Sequence, residues 1–353
     1  MPGARKPWTW STVYSTPQRQ TMLGLALLCF IIAVWGLQVQ YAWQIILLQQ
    51  VLPPGRTACP VAMRHTPGRR DTPLRFGILL LFDDGMWSSQ LSQDSLENKR
   101  QYAQRHGYDL VVARGKDIDR SRPAAWSKFK AMRKHLPRYD YLLYTDADTI
   151  VMNQEVKLES LVGDGSADVI ITEDWNGVNT GVFMLRNSTW TYWFLREAWG
   201  LQGSEQEHMA LHDRSAGGMK YPFEYEQRAV HYLLQTEIWT ERHLPRYRPA
   251  ITFEGALQTS ETMWRHVQLL PQCALNSYML YPSFFRRGYV SAQWVAGDFV
   301  VHMAGHKGSN KQQLFRYCFR MSQQAMTTRI DPRLKQRGRV LHHLRRLGHD
   351  RRG

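Results

Sequence analysis

Cysteine is scarce in this chain, four in 353 residues, and no two are spaced CxxC. That excludes a disulfide-dense scaffold and a cysteine-built zinc site. The patterns GxGxxG, GxxxxGKS/T, HExxH and GxSxG are all absent, which removes the common dinucleotide, P-loop, zincin and hydrolase-elbow chemistries. No internal repeat is present. Acidic charge is the minority sign, 30 Asp and Glu against 45 Lys and Arg, for a formal net charge of +15. The excess sits at the ends. Three cations and no acids precede residue 21, four cations lie between Arg56 and Arg70, and nine cations face two acids from Arg329 onward, leaving about +1 for residues 71–328. A nucleic-acid-binding domain carries its basic stripe on the folded body, so this distribution argues against a nucleic-acid partner.

What is present begins with one long apolar run. Met22 to Leu37 holds sixteen residues without an ionisable or amide side chain, and after Gln38 and Gln40 the apolar character continues to Leu48. A bilayer core needs about 20 helical residues. The flanking charge before the run is all positive, and Trp35, Tyr41 and Trp43 suit an interface. The expectation is a type II anchor: cytosolic tail 1–20, membrane helix 21–48, and everything beyond in the lumen. A cleaved signal peptide fits less well, because the run is long and lacks a small-x-small cleavage site. Residues 50–74 hold five prolines and two glycines and read as part of a stem, 49–74. Two features suit a lumenal body. Asn187-Ser188-Thr189 is a glycosylation sequon at Asn187. Cys29 lies in the apolar run, so Cys59, Cys273 and Cys318 can form at most one internal disulfide.

From Arg75 the pattern becomes a strand and helix alternation. Phe76–Phe82 is a short unbroken apolar run, as in a strand buried on both faces. Gln90–His106 is helix-compatible and closed by Gly107. Further strands are predicted at 108–113, 139–145, 168–172, 180–185 and 298–303, with helices at 126–136, 189–199 and near 226–235. This is an α/β sheet protein, with a catalytic domain over 75–328 and a basic tail over 329–353.

The run YDYLLYTDADTIVMN, 139–153, carries the chemistry. An apolar strand ends in Asp146-Ala147-Asp148, and in open α/β sheets ligands bind at the carboxyl ends of strands. Two carboxylates at i, i+2 can share a hard divalent cation and leave positions for phosphate oxygens. A bound cation stabilises a departing diphosphate, so the pattern suits nucleotide-sugar chemistry.

At this point the sequence resembles glycosyltransferase family 34, the Golgi galactosyl-, mannosyl- and xylosyltransferases. The resemblance is carried by NKRQYAQRHGYDL (98–110), WSKFKAM (126–132), YLLYTDADTIVMN (141–153), NTGVFMLRNSTW (179–190), EQRAVHYLL (226–234) and DFVVHMAGHKG (298–308), in the family's order. It implies a GT-A fold with a mostly parallel sheet, a Mn2+ cofactor, a UDP-sugar or GDP-sugar donor, a glycan acceptor, and retention of anomeric configuration in the Golgi. By that resemblance Asp146, Asp148 and His302 bind the metal. Lys128, Ala147, Gly305 and Lys307 belong to the donor phosphate site, and Asn179, Thr180 and Gly181 lie near the donor sugar and acceptor. Glu226 and Gln227 fall on the sugar's β face. Tyr225 stands where many members carry a second acid, which favours front-face substitution over double displacement. His306 stands where many members carry Cys, so a disulfide the family forms there is absent. Two alternatives stay open: a family-8-like transferase, whose HxxGxxK motif is one residue longer than His302-x-x-Gly305-x-Lys307, and a non-catalytic nucleotide-sugar or glycan-binding protein. Donor sugar, linkage and a homo- or hetero-oligomeric state are undecided.

Overall fold

The computed structural model describes residues 73–174, 177–201, 226–234, 252–279 and 293–330, together with Leu25, residues 28–30 and Cys59. The expected cytosolic tail, nearly all of the expected membrane helix and stem, Tyr225, and the basic tail beyond Ile330 lie outside the described residues. Among the described residues no helix is long and apolar enough to cross a membrane.

Strand β1 (Phe76–Leu81, FGILLL) is buried along its whole length, which is why it reads as unbroken apolar sequence. A short helix α1 (Asp84–Trp87) leads into α2 (Gln90–His106). Ser89 Oγ caps α2 by accepting from Ser92 N, and Gly107 ends it in the left-handed region at φ 71°, where a side chain would be strained. After β2 (Asp109–Ala113) the chain forms α3 (Ser127–His135), β3 (Tyr141–Thr145) and β4 (Thr149–Val151). Next come β5 (Val169–Asp174), β6 (Gly177–Arg186), α4 (Thr189–Gly200) and α5 (Glu226–Leu234). The remainder is a small hairpin of β7 (Thr252–Phe253) and β8 (Ala256–Leu257), then α6 (Ser260–Trp264), β9 (Val267–Leu270), α7 (Gln272–Leu275), β10 (Ser277–Tyr278), β11 (Val300–His302) and α8 (Gly308–Ile330).

The main sheet has the order β2-β1-β3-β6-β5-β9. Only β6 runs against the others, pairing antiparallel with both β3 and β5. Alternate residues of its strands feed two cores. Leu79, Leu142 and Phe183 pack with Phe129 and Met132 of α3, Trp190 and Phe194 of α4 and Val230 of α5. Ile78, Leu80, Leu143 and Met184 pack on the other face with Leu96, Tyr102 and Ala103 of α2. A second sheet, β10-β11-β4, has its own core, where Ile150 and Val301 meet Leu314, Phe315 and Cys318 of α8.

One disulfide forms, between Cys59 and Cys273 across 214 residues of chain, and it staples the segment before β1 to α7. Cys318 is free and buried. The helix over 308–330 was not anticipated from the sequence.

Candidate active site

The two sheets meet at the Asp146-Ala147-Asp148 turn. Asp146 follows β3, and its N–H donates to Gly181 O of β6 at 2.7 Å. Asp148 precedes β4, and its carbonyl accepts from Met303 N, just past β11, at 3.0 Å. Because β11 pairs antiparallel with β4, His302 lies opposite Thr149. That register brings the imidazole to the turn from the second sheet. Asp146, Asp148 and His302 each offer one ligand atom, all within 4.8 Å of one another. Two carboxylate oxygens and one imidazole nitrogen are a donor set that suits a divalent cation such as Mn2+. His302 Nε2 is 3.3 Å from Asp148 Oδ1, while Nδ1 is 2.7 Å from Asn276 Oδ1. An amide oxygen can only accept, so Nδ1 carries the proton and Nε2 is the nitrogen whose lone pair could hold a cation.

Gly181 makes room for this ring. A Cβ at that position would lie 2.3 Å from His302 Cε1 and 2.9 Å from its Nδ1. The NTG run therefore serves the histidine sterically.

On the main-sheet side, Lys128 of α3 is almost wholly buried and its Nζ is 2.6 Å from Glu226 Oε1, 3.4 Å from Asp146 Oδ1 and 3.2 Å from Thr180 O. Burial works against its charge, but Asp146 and Glu226 outweigh burial and raise its pKa above the ordinary lysine value. Tyr144 donates to Asp146 Oδ1 at 2.7 Å. Burial, reinforced by Asp148, raises the Asp146 carboxyl against the pull of Lys128. At Asp148 burial acts the same way but loses to His302 and to Lys311, whose Nζ is 2.6 Å from Asp148 Oδ2, and the carboxyl is held well below the usual range. Gln227 Oε1 accepts from Thr180 N at 3.1 Å, and Thr180 Oγ1 donates to Glu226 Oε1 at 3.3 Å.

This geometry agrees with what comparison shows. The family model of the galactosyl transferase GMA12/MNN10 family matches residues 78–167 and 161–313. The chain belongs to this family. A Saccharomyces cerevisiae protein named as a probable alpha-1,6-mannosyltransferase, MNN10, is 25% identical over 266 residues, which is 65% of this chain and 58% of that protein. Xyloglucan 6-xylosyltransferase 1 of Arabidopsis thaliana is 30% identical over 164 residues, 40% of this chain and 34% of its own. Galactomannan galactosyltransferase 1 of Cyamopsis tetragonoloba is 26% identical over 41% of this chain and 37% of its own. The chain thus spans between a third and three fifths of these relatives. Among solved structures, a glycosyltransferase involved in glycosylation of the major capsid of PBCV-1 covers 69% of this chain and 98% of its own at 15% identity, with a TM-score of 0.41. Membership in the GMA12/MNN10 family rests on the family model.

The structure draws together Lys128, Asp146, Asp148, Asn179, Thr180, Gly181, Glu226, Gln227 and His302, with Ala147 buried in the turn between the aspartates. Lys307 is exposed, and the cation in contact with Asp148 is Lys311, one helical turn further on. Gly305 holds a left-handed turn at φ 76°, a conformational requirement for glycine. Asn187 is exposed at the end of β6, its Nδ2 donating to Tyr139 O at 3.0 Å, while Ser188 of the same sequon caps α4.

Sequence reasoning passed over several residues that hold the site. Asn98 of α2 donates to Val151 O at 3.0 Å and accepts from Val151 N at 2.7 Å, and the neighbouring Lys99 ammonium donates to Thr149 O. Together they clamp the free edge of β4 directly behind Asp148. Burial, opposed by Asp148 and Asp146, lowers the Lys99 pKa to about 7. Both residues sit inside the NKRQYAQRHGYDL motif, which was a signal available in the sequence.

Proposed function

We propose that this chain is a divalent-metal-dependent, retaining glycosyltransferase that moves a hexose or pentose from a UDP- or GDP-sugar to a glycan acceptor. The observation that carries the reading is the Asp146, Asp148 and His302 cluster beside a buried Lys128–Glu226 pair at the carboxyl end of β3. The donor set fits Mn2+, which when bound supplies positive charge against the diphosphate that accumulates negative charge as the sugar bond breaks. Lys128 adds a protonated ammonium on the same side.

Glu226 is fixed by Lys128 at 2.6 Å, so it presents a negative charge to the sugar without being free to attack it. That supports front-face substitution, in which the acceptor hydroxyl enters on the face the diphosphate leaves and passes its proton to a leaving phosphate oxygen. Gln227, with Oε1 engaged by Thr180 N, keeps its amide NH2 as the end that can donate to a sugar or phosphate oxygen. The alpha linkage in the mannosyltransferase's name matches retention from an α-linked donor.

A lumenal setting in the Golgi, behind a type II anchor, is part of the same proposal. The Cys59–Cys273 disulfide supports it, because such bonds persist in oxidising compartments. The test is a donor panel of UDP-galactose, UDP-xylose and GDP-mannose with Mn2+ or EDTA, the product anomer being read by NMR. The expected result is Mn2+-dependent turnover of one donor with retained configuration. Inverted product would overturn the mechanism, and nucleotide binding without turnover on any acceptor would favour the non-catalytic reading.

A further inference from the structure

Resting on the metal-site reading above, we infer that Tyr278 is a positioning residue which sets the orientation of Asn276 and, through it, the tautomer of His302. Tyr278 and His302 are register partners in the parallel β10/β11 pair, with ring centroids 6.1 Å apart. The tyrosine side chain is buried. Its hydroxyl accepts from Asn276 Nδ2 at 3.1 Å and from Asn179 Nδ2 at 3.0 Å, and it donates to Asp174 Oδ2. One hydrogen and two lone pairs are the whole capacity of a phenol hydroxyl.

The consequence follows from amide geometry. An asparagine can present either its oxygen or its NH2 to a neighbour, and either end fits the same space. With the Asn276 NH2 held on Tyr278 Oη, its Oδ1 must face His302, where it accepts from Nδ1 at 2.7 Å. Nδ1 then keeps the proton, and the Nε2 lone pair points to the position shared with Asp148 and Asp146. Flipped, the amide would offer N–H to Nδ1, forcing the proton onto Nε2 and closing that nitrogen to a metal.

The frame around Asn276 is rigid. Its own N–H donates to Gln272 O at 2.8 Å, its carbonyl accepts from Gln272 Nε2 at 3.0 Å, and the α7 helix it terminates carries the disulfide at Cys273. The same hydroxyl orders the sugar side, because Asn179, held on Tyr278 and on Asp174 at 2.9 Å, accepts from Gly181 N at 2.8 Å. A continuous polar chain thus runs from the metal histidine to the NTG run.

The test is Mn2+ binding by the full chain, measured by calorimetry without nucleotide, for wild type, Tyr278→Phe and the double variant Tyr278→Phe/Asn276→Asp. Loss of the outer partner of a ligating histidine costs roughly 10- to 100-fold in metal affinity, and Tyr278→Phe, which releases the orientation of that partner, is expected to cost about tenfold, the lower end of that range. A carboxylate at 276 accepts from Nδ1 with either oxygen and needs no partner to choose its orientation. The double variant is therefore expected to recover most of the affinity, which general loosening of the fold would not allow. Unchanged binding by Tyr278→Phe overturns the inference, and so does a double variant that stays as weak as the single one. If Tyr278→Phe fails to fold, Asn276→Leu carries the test, since deleting the acceptor must weaken Mn2+ at least as much. Failure of the wild type itself to bind Mn2+ would instead sink the metal-site reading on which this inference stands.

Discussion

Asp146 and Asp148 are two residues apart and belong to different halves of the molecule. Asp146 lies against the main sheet: its N–H is on β6, and its carboxylate faces Lys128 and Tyr144. Asp148 lies against the small sheet: its carbonyl is tied to Met303, and its carboxylate faces His302 and Lys311. Each half brings one aspartate of the turn and one ammonium against it, Lys128 on the first side and Lys311 on the second. Their charges are biased in opposite directions, Asp146 above and Asp148 below the ordinary carboxylate value. The turn is therefore a seam, and a cation held across it joins two independently built supports. Asp148 is the carboxylate faced by both His302 and Lys311, and the site should depend on it most.

The largest expected effect tests that dependence. Asp148→Ala should lower transfer by at least roughly 1,000-fold while the thermal unfolding curve stays cooperative, because it removes the charge on which His302 and Lys311 converge. Near wild-type turnover would break the comparison. Next, Lys128→Met should cost stability as well as activity. It strands Glu226 in a buried position, and breaking such a pair costs about 3 kcal/mol, measurable by urea denaturation. Lys311→Met, at a partly exposed pair, should change stability by less than about 1 kcal/mol. The contrast between the two lysines is the sharpest measure of how differently the halves are buried.

Gly181→Ala crosses from one half to the other. The new Cβ would collide with His302, so Mn2+ affinity should fall roughly tenfold with little change in the main sheet's stability. Gly305→Ala leaves the cluster's side chains in place and should cost only stability, about 1 kcal/mol from the left-handed turn after β11, read as a shift in unfolding midpoint.

The main-sheet half was the legible one. Its strands are four to ten residues long, β1 and β3 are apolar and buried along their whole length, its helices carry visible caps such as Gly107, and the DxD turn announces itself at the end of β3. What periodicity could not show was direction: β6 reads like its parallel neighbours and runs against them, because both of its faces are equally buried. The small-sheet half was harder. The strand expected at 298–303 is present as β11, but β10 is two residues long, too short for any period, and their pairing joins positions separated by more than twenty residues. Lys311 was displaced by one helical turn from the lysine in the motif, and only the start of α8 at Gly308 brings it to Asp148. Tyr278 meets Asp174 across 104 residues, a contact that no local spacing records.

The most direct test of the joined-halves account is the affinity of the full chain for UDP and GDP with Mn2+ and with EDTA, in wild type and in Asp148→Ala. The account predicts that one nucleotide binds wild type at least tenfold more tightly with Mn2+, and that Asp148→Ala abolishes the difference. Equal nucleotide affinity with Mn2+ and with EDTA in the wild type would contradict it.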